Sequence, residues 1–309
     1  MSQSPREIVQ AAIREEGPER LPVRMDALGV NDTRWVGRKP ASGRQEGDIR
    51  YDEWGCGWSH TDMHNMGQVK VHPMDDLSQL DRITVPDYDQ DFIYEDCEEA
   101  FQQAERNDQY TQHGIFMILF ERMHSCAGFE NVLMGLINDR ENAAALADTI
   151  LGAQISIVRN FQERFGDRLH SFSMSEDWGT QQAAFISLDL WREFFLPRYS
   201  RLFEIMHEGG QDVWVHSCGK VNELIEGFIE AGCDVVNLQQ PRALGIEEIG
   251  ERYRGRITFE SLADIQATLP TDRRDLIDRD VADLKRHWMS ADGGFVLSDY
   301  GDGRAIGAS

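Results

Sequence analysis

Apolar and polar positions divide this chain into two unlike parts. From about residue 110 onward, short apolar runs alternate with longer amphipathic stretches. The runs 115–120, 172–177, 213–218, 235–238, 257–260 and 295–298 read as buried strands. Between them, 138–165 reads as a long helix ended by Gly166, and Ser187 opens a helix interrupted at Pro197 and ended by Gly209-Gly210. Further helices end at Ala231-Gly232 or fill 246–253 and 272–289. Strands alternating with helices predict a parallel sheet covered on both faces.

The first hundred residues are less regular. Ser4-Pro5-Arg6-Glu7 has the cap, proline and acidic residue of a helix start, and Gly17 is its expected end. Residues 21–26 read as a short strand. The segment 29–75 shows no sustained period and reads as an irregular excursion, with a hairpin expected between 52–55 and 67–71. The strand tally approaches eight, and no G-x-G-x-x-G follows the first strand. The expected fold is therefore one α/β domain over 1–309, a (β/α)8 TIM barrel rather than an open Rossmann sheet. Eleven residues follow the last predicted strand. The covering helix of a closed barrel is thus missing, and the expectation is a truncated chain or a partner on that surface.

Composition narrows the functional classes. With 309 residues and 41% hydrophobic content the chain can bury a large core. Its 31 basic and 54 acidic side chains give 31 − 54 = −23, with only four lysines. Nucleic acid and anionic membranes need clustered cations, so neither is an expected partner. No apolar run approaches the roughly 20 residues of a membrane span, and the N-terminus lacks a signal-peptide pattern. Five cysteines form no disulfide framework, so a cytoplasmic enzyme with reduced thiols and a small-molecule substrate is expected.

The chemistry concentrates at predicted strand exits, where barrels of this type place their active sites. In Val213-Trp214-Val215-His216-Ser217-Cys218-Gly219, alternation puts Trp214, His216 and Cys218 on one face. An imidazole and a thiolate two residues apart can share a zinc ion; a buried histidine beside a small apolar cysteine is the alternative. For the third ligand, Cys233 lies at the wrong end of its strand, whereas Asp299 and Asp302 follow the last one. Glu176 and Asp177 end theirs and suit either metal ligation or acid–base work. Gln239 suits substrate binding. A second His-Ser-Cys, His124–Cys126, falls in a helical context and reads as coincidence.

Asp52-Glu53-Trp54-Gly55, Phe120-Glu121-Arg122 with Gly128-Phe129-Glu130-Asn131, Glu176-Asp177-Trp178-Gly179, Trp191-Arg192-Glu193-Phe194-Phe195 and His216-Ser217-Cys218-Gly219 together resemble the uroporphyrinogen decarboxylase superfamily. The resemblance implies a (β/α)8 barrel and, as in many members, a homodimer. It also implies one of two activities, decarboxylation of uroporphyrinogen or zinc-dependent methyl transfer with a corrinoid protein. The decarboxylases carry an R-Q-A-G-R-Y stretch after the first strand. Aligned on Leu21-Pro22-Val23, the two arginine positions fall near Ala27 and Asn31 here, and the late histidine is replaced by Asp299-Tyr300-Gly301-Asp302-Gly303. A substrate with eight carboxylates needs concentrated positive charge. The methyltransferase branch fits better: His216 and Cys218 match its first two zinc ligands, with Asp302 or Asp299 standing in for the third, a cysteine. That reading casts Glu176, Asp177 and Glu121 as catalytic groups and Gln239, Trp178 and Asp26 as substrate contacts. Trp54, Trp58 and Trp178 would line a mouth that excludes water. A uroporphyrinogen-type decarboxylase and a non-catalytic binding barrel remain the alternatives.

Overall fold

The computed structural model describes residues 2–25, 28–59 and 67–308. Helix α1 (Pro5–Ile13) starts as its sequence dictates: the Glu7 N–H donates to Ser4 Oγ, and the Ser4 N–H donates to the Glu7 carboxylate. It ends at Arg14, short of Gly17.

Thirteen strands follow among the described residues. They are β1 (Val23–Met25), β2 (Val30–Asn31), β3 (Thr33–Trp35), β4 (Arg44–Glu46), β5 (Ile49–Tyr51), β6 (Gly57–Ser59), β7 (Gln68–Val71), β8 (Tyr110–Phe116), β9 (Ser171–Ser175), β10 (Asp212–His216), β11 (Val235–Leu238), β12 (Thr258–Ser261) and β13 (Phe295–Ser298). Nine form a nearly closed barrel in the order β2-β1-β13-β12-β11-β10-β9-β8-β3, parallel except for the β1–β2 pair. The first and last strands of that order are consecutive in the chain, with only Asp32 between them. Its N–H donates to Val23 O and its carbonyl accepts from Tyr110 N–H, so one residue joins both edges of the sheet. The buried Asp32 carboxylate takes both Arg20 nitrogens and the Val23 N–H.

Helices α2 (Cys97–Asn107), α3 (Phe120–Ala127), α4 (Phe129–Asn138), α5 (Arg140–Phe165), α6 (Leu188–Phe194), α7 (Leu196–Glu208), α8 (Leu224–Ala231), α9 (Pro241–Leu244), α10 (Ile246–Tyr253) and α11 (Arg274–His287) supply the rest of the regular structure. The main core joins their apolar faces to the outward-facing strand residues. A smaller cluster of Tyr110, Trp214, Val235 and Val296 meets Val9 and Ile13 of α1, which plugs the N-terminal end of the barrel. The lumen therefore opens where the strands end. After β13 comes a 3-10 turn at Gly303–Ile306, and no α-helix follows among the described residues. No described helix is long and apolar enough to cross a membrane.

Three sequence expectations are corrected. The strand expected at 115–120 is β8, five residues earlier, because Thr111, Gln112 and His113 are buried in it and break the apolar signal. The segment 29–75 is not an excursion throughout: it contains barrel strand β3 and an antiparallel sheet β4-β5-β6-β7. In that sheet the hairpin partner of β7 is β6. Residues 52–55 instead form a turn in which Asp52 Oδ1 accepts the N–H groups of Trp54 and Cys56.

His113 is a buried polar group whose titration bears on stability. Its Nδ1–H donates to Val36 O at 2.7 Å, and the ring stacks on Phe161 at 3.9 Å. Burial holds its pKa down at about 3, against about 6.5 in an unfolded chain. Between those values the unfolded state binds one proton more, so stability falls as pH drops from 6.5 toward 3. His113→Phe removes this proton uptake at the cost of the Val36 bond. The wild-type advantage in urea unfolding should shrink between pH 7 and pH 5, with a slope approaching about 1.4 kcal/mol per pH unit. A constant difference across that range would contradict a neutral buried imidazole.

Candidate metal centre

Strands β9 and β10 lie side by side in register, Ser175 against His216, and their exits carry the decisive residues. After β9 the chain reads Glu176-Asp177-Trp178-Gly179; after β10 it reads Ser217-Cys218-Gly219. The two loops are drawn together by backbone contact. A Cβ on Gly219 would lie 2.2 Å from Gly179 O, and Gly219 has φ +86°, so a side chain is excluded there twice over. Around this contact the Glu176 N–H donates to His216 O, Trp178 N–H to Ser217 Oγ, Lys220 N–H to Thr180 O and Cys218 N–H to Asp177 Oδ1.

Asp177, His216 and Cys218 thereby converge. His216 Nε2 is 3.4 Å from Cys218 Sγ and 3.5 Å from Asp177 Oδ1, and the three ligand atoms all lie within 4.8 Å of one another. Tetrahedral zinc with bonds of about 2.0–2.3 Å sets its ligand atoms about 3.3–3.6 Å apart, so both of these distances suit one ion. His216 Nδ1–H donates to Asn237 Oδ1 at 2.6 Å, which leaves the Nε2 lone pair for a metal. Nitrogen, sulfur and one carboxylate leave a fourth position open, as catalytic zinc sites do.

The surroundings are crowded with negative charge. Burial, with Asp177 and Glu121 beside it, pushes the Cys218 thiol well above its ordinary range. Glu121, at the start of α3, is raised to about 8 by burial and by the nearby Asp177 and Glu176 carboxylates. Glu176 is raised to about 7, first by burial. Its oxygens are nevertheless fully used: they accept from Leu119 N–H at 2.6 Å, Glu121 N–H at 2.5 Å and the Tyr199 hydroxyl at 2.8 Å. Glu176 thus anchors the N-terminus of the helix that carries Glu121.

The other sequence candidates fall elsewhere. Asp302 caps the final 3-10 turn and pairs with Arg304, and Asp299 accepts from Gly301 N–H; neither joins the three-residue cluster. Trp178 is fully buried, stacked on Phe120 at 4.5 Å and edge-on to Phe195, so it packs the core rather than lining the mouth. Asp26 and Ala27 lie outside the described residues. Cys126 is buried in α3, 3.9 Å from Cys56, and Cys233 is buried at the entry to β11.

Gln239 lines the barrel lumen, a cavity of about 580 Å³ that also includes His216, Asn237, Glu260 and two arginines, Arg24 and Arg34. Those arginines were missed because strands of three residues carry no readable alternation. Arg24 pairs with the buried Glu260 at 2.9 Å; Arg34 makes no ion pair among the described residues.

The fold has known counterparts. A methyltransferase from Methanosarcina mazei superimposes with a TM-score of 0.66 at 13% identity, covering 98% of this chain and 96% of that one. A glycoside hydrolase family 10 endo-beta-1,4-xylanase from Gloeophyllum trabeum gives 0.44 at 12% identity over 69% and 70% of the two chains. An intracellular xylanase from Thermoanaerobacterium saccharolyticum gives 0.39 at 10% over 68% and 72%. At these identities the first likeness shows a shared TIM-barrel fold. Among curated proteins no sequence matches significantly. The family model for uroporphyrinogen decarboxylase (URO-D) matches residues 55–253, nearly two thirds of the chain and both loops of the cluster. The chain belongs to the uroporphyrinogen decarboxylase family.

Proposed function

We propose that this protein is a zinc-dependent methyltransferase that moves a methyl group between a small substrate or thiol and a corrinoid protein. The observation that carries the reading is the convergence of Asp177, His216 and Cys218, with His216 Nε2 3.4 Å from Cys218 Sγ and 3.5 Å from Asp177 Oδ1 and its tautomer held by Asn237. The likeness in fold to a methyltransferase supports it. The lumen argues against a porphyrinogen. Asn31 stands near one of the decarboxylase arginine positions, and Arg24 is already neutralised by Glu260.

Asp177, His216 and Cys218 would hold the ion. When bound, zinc supplies Lewis acidity, which lowers the pKa of the substrate's reacting thiol or alcohol. The protein's own residues do the rest. Asn237 orients His216, its amide NH₂ has no partner among the described residues, and it lines the lumen together with Gln239, which offers a second polar contact. Glu121, a carboxyl beside Asp177 whose pKa is raised by burial and by its acidic neighbours, would exchange the proton of the reacting group. Glu176 fixes the helix on which Glu121 stands. The plugged lower barrel keeps water from entering behind the substrate.

Purified protein should contain about one equivalent of zinc. Cys218→Ser should lose it, whereas Asp299→Ala and Asp302→Ala should keep it. Metal-free wild type after zinc-replete purification would refute the reading. Asn237→Ala should weaken zinc binding by about 10- to 100-fold in a chelator competition, since the imidazole loses its orienting acceptor. Glu121→Gln should leave zinc content unchanged yet slow methyl transfer from a methylated corrinoid by about 10²- to 10⁴-fold. Equal rates for wild type and this variant would remove Glu121 from the chemistry.

A further inference from the structure

A second cavity, of about 600 Å³, lies beside the lumen, lined by β3, β8, α5 and the small antiparallel sheet. It shares Trp35, Gly114, Ile115 and Phe116 with the lumen, so these residues form a common wall. Gly114 makes the wall possible: a Cβ there would lie 2.0 Å from the Trp35 ring. Nothing in the proposed methyl transfer uses this second space.

Its lining is aromatic and positively charged. Trp35, Tyr51, Trp54, Trp58 and Phe116 supply ring faces, and Trp35 and Phe116 remain 52% and 45% exposed. Four arginines (Arg38, Arg44, Arg50, Arg122) line it; Arg38 pairs with Glu53, Arg122 with Asp52 and Arg44 with Glu46 outside the lining, 4 − 3 = +1 in a chain of net charge −23. Both lining carboxylates are already consumed. Asp52 accepts from Trp54 N–H, Cys56 N–H, Trp58 Nε1–H and Arg122; Glu53 accepts from Arg38, Ala41 N–H and the Tyr88 hydroxyl. No acid of the lining is therefore left to attract a cation. Arg50 makes no ion pair among the described residues. Two deeply buried lining side chains keep a polar atom with no partner among the described residues, Nε of Arg122 and Nε2 of His113. A cavity of this size with stacking faces and a surplus of arginine is a ligand site for a flat anion.

We propose that this cavity is a second binding site, distinct from the metal centre, for a planar aromatic carboxylate. The ring system lies against the Trp35 and Trp58 faces and the carboxylate is drawn to Arg50. The assignment stands apart from the methyltransferase reading, because none of its residues belongs to the zinc cluster.

Calorimetric titration with 2-naphthoate tests it. Wild type and Cys218→Ser should bind the probe saturably and alike. Trp35→Ala and Arg50→Glu, both at exposed positions and checked for native circular dichroism, should each bind about tenfold more weakly. The neutral 2-naphthamide should bind more weakly than the acid, and (2-naphthyl)trimethylammonium more weakly still. The proposal is overturned by absence of saturable binding, by a preference for the cation, or by binding lost in Cys218→Ser but kept in Trp35→Ala and Arg50→Glu. The last result would place the probe at the Asp177–His216–Cys218 cluster instead.

Discussion

The candidate site depends on one contact, the approach of the loop after β9 to the loop after β10 at Gly179 and Gly219. Neighbouring strands of a sheet stand about 4.8 Å apart, wider than the ligand separation around a single zinc ion. Something must draw the two strand exits inward. Here a side chain is absent where Gly219 meets Gly179 O, and the Cys218 N–H reaches Asp177 Oδ1 at 2.8 Å. That bond fixes Asp177 beside the residue with which it would share a metal. The final glycines of Glu176-Asp177-Trp178-Gly179 and His216-Ser217-Cys218-Gly219 are thus one interface written in two places in the chain.

The same approach crowds charge. Glu121, Glu176, Asp177 and Cys218 lie together, and burial disfavours the ionised form of each group whose pKa is raised. Glu176 is compensated within the protein by two helix N-terminal amides and a tyrosine hydroxyl. Glu121 has a backbone hydrogen bond from Asp177 that offsets only part of its burial, and Cys218 is raised by every group around it. A cluster that folds with this imbalance gains from a divalent cation, which would repay the repulsion and favour the thiolate. Local electrostatics and donor geometry therefore favour the same occupant.

From β9 onward the sequence was readable because parallel strands buried on both faces appear as apolar runs between amphipathic helices. Strands β11 and β13 and helix α10 fall where the pattern put them. Before residue 110 the physics hides. Strand β3 has three residues, too few for a period, and β8 buries Thr111, Gln112 and His113 because Arg168 O, His170 and Val36 O satisfy two of them. At the site, alternation along 213–218 placed His216 and Cys218 together. The third position was sought after the last strand because chain order shows which residues end a strand, not which strands are neighbours. Strand β9 is adjacent to β10, whereas β13 stands three places away, about 14 Å along the sheet. Asp177 had been recognised as a ligand or an acid–base group, and strand adjacency is what favours the first role.

Register also links the two cavities. Phe116 pairs with Ser175, and Ser175 with His216, so the shared wall stands two strand spacings, about 10 Å, from the imidazole. That is too far for direct contact between a ring held against Trp35 and Phe116 and the imidazole. The lumen on the far side of these residues carries Arg24 and Arg34 with Glu260, so the two cavities do not differ in the sign of their charge; the acids gather instead around Asp177 and Cys218, at the exits of β9 and β10. One sheet thus brings an acid-rich pair of strand exits and an aromatic, arginine-bearing cavity within a few strand widths.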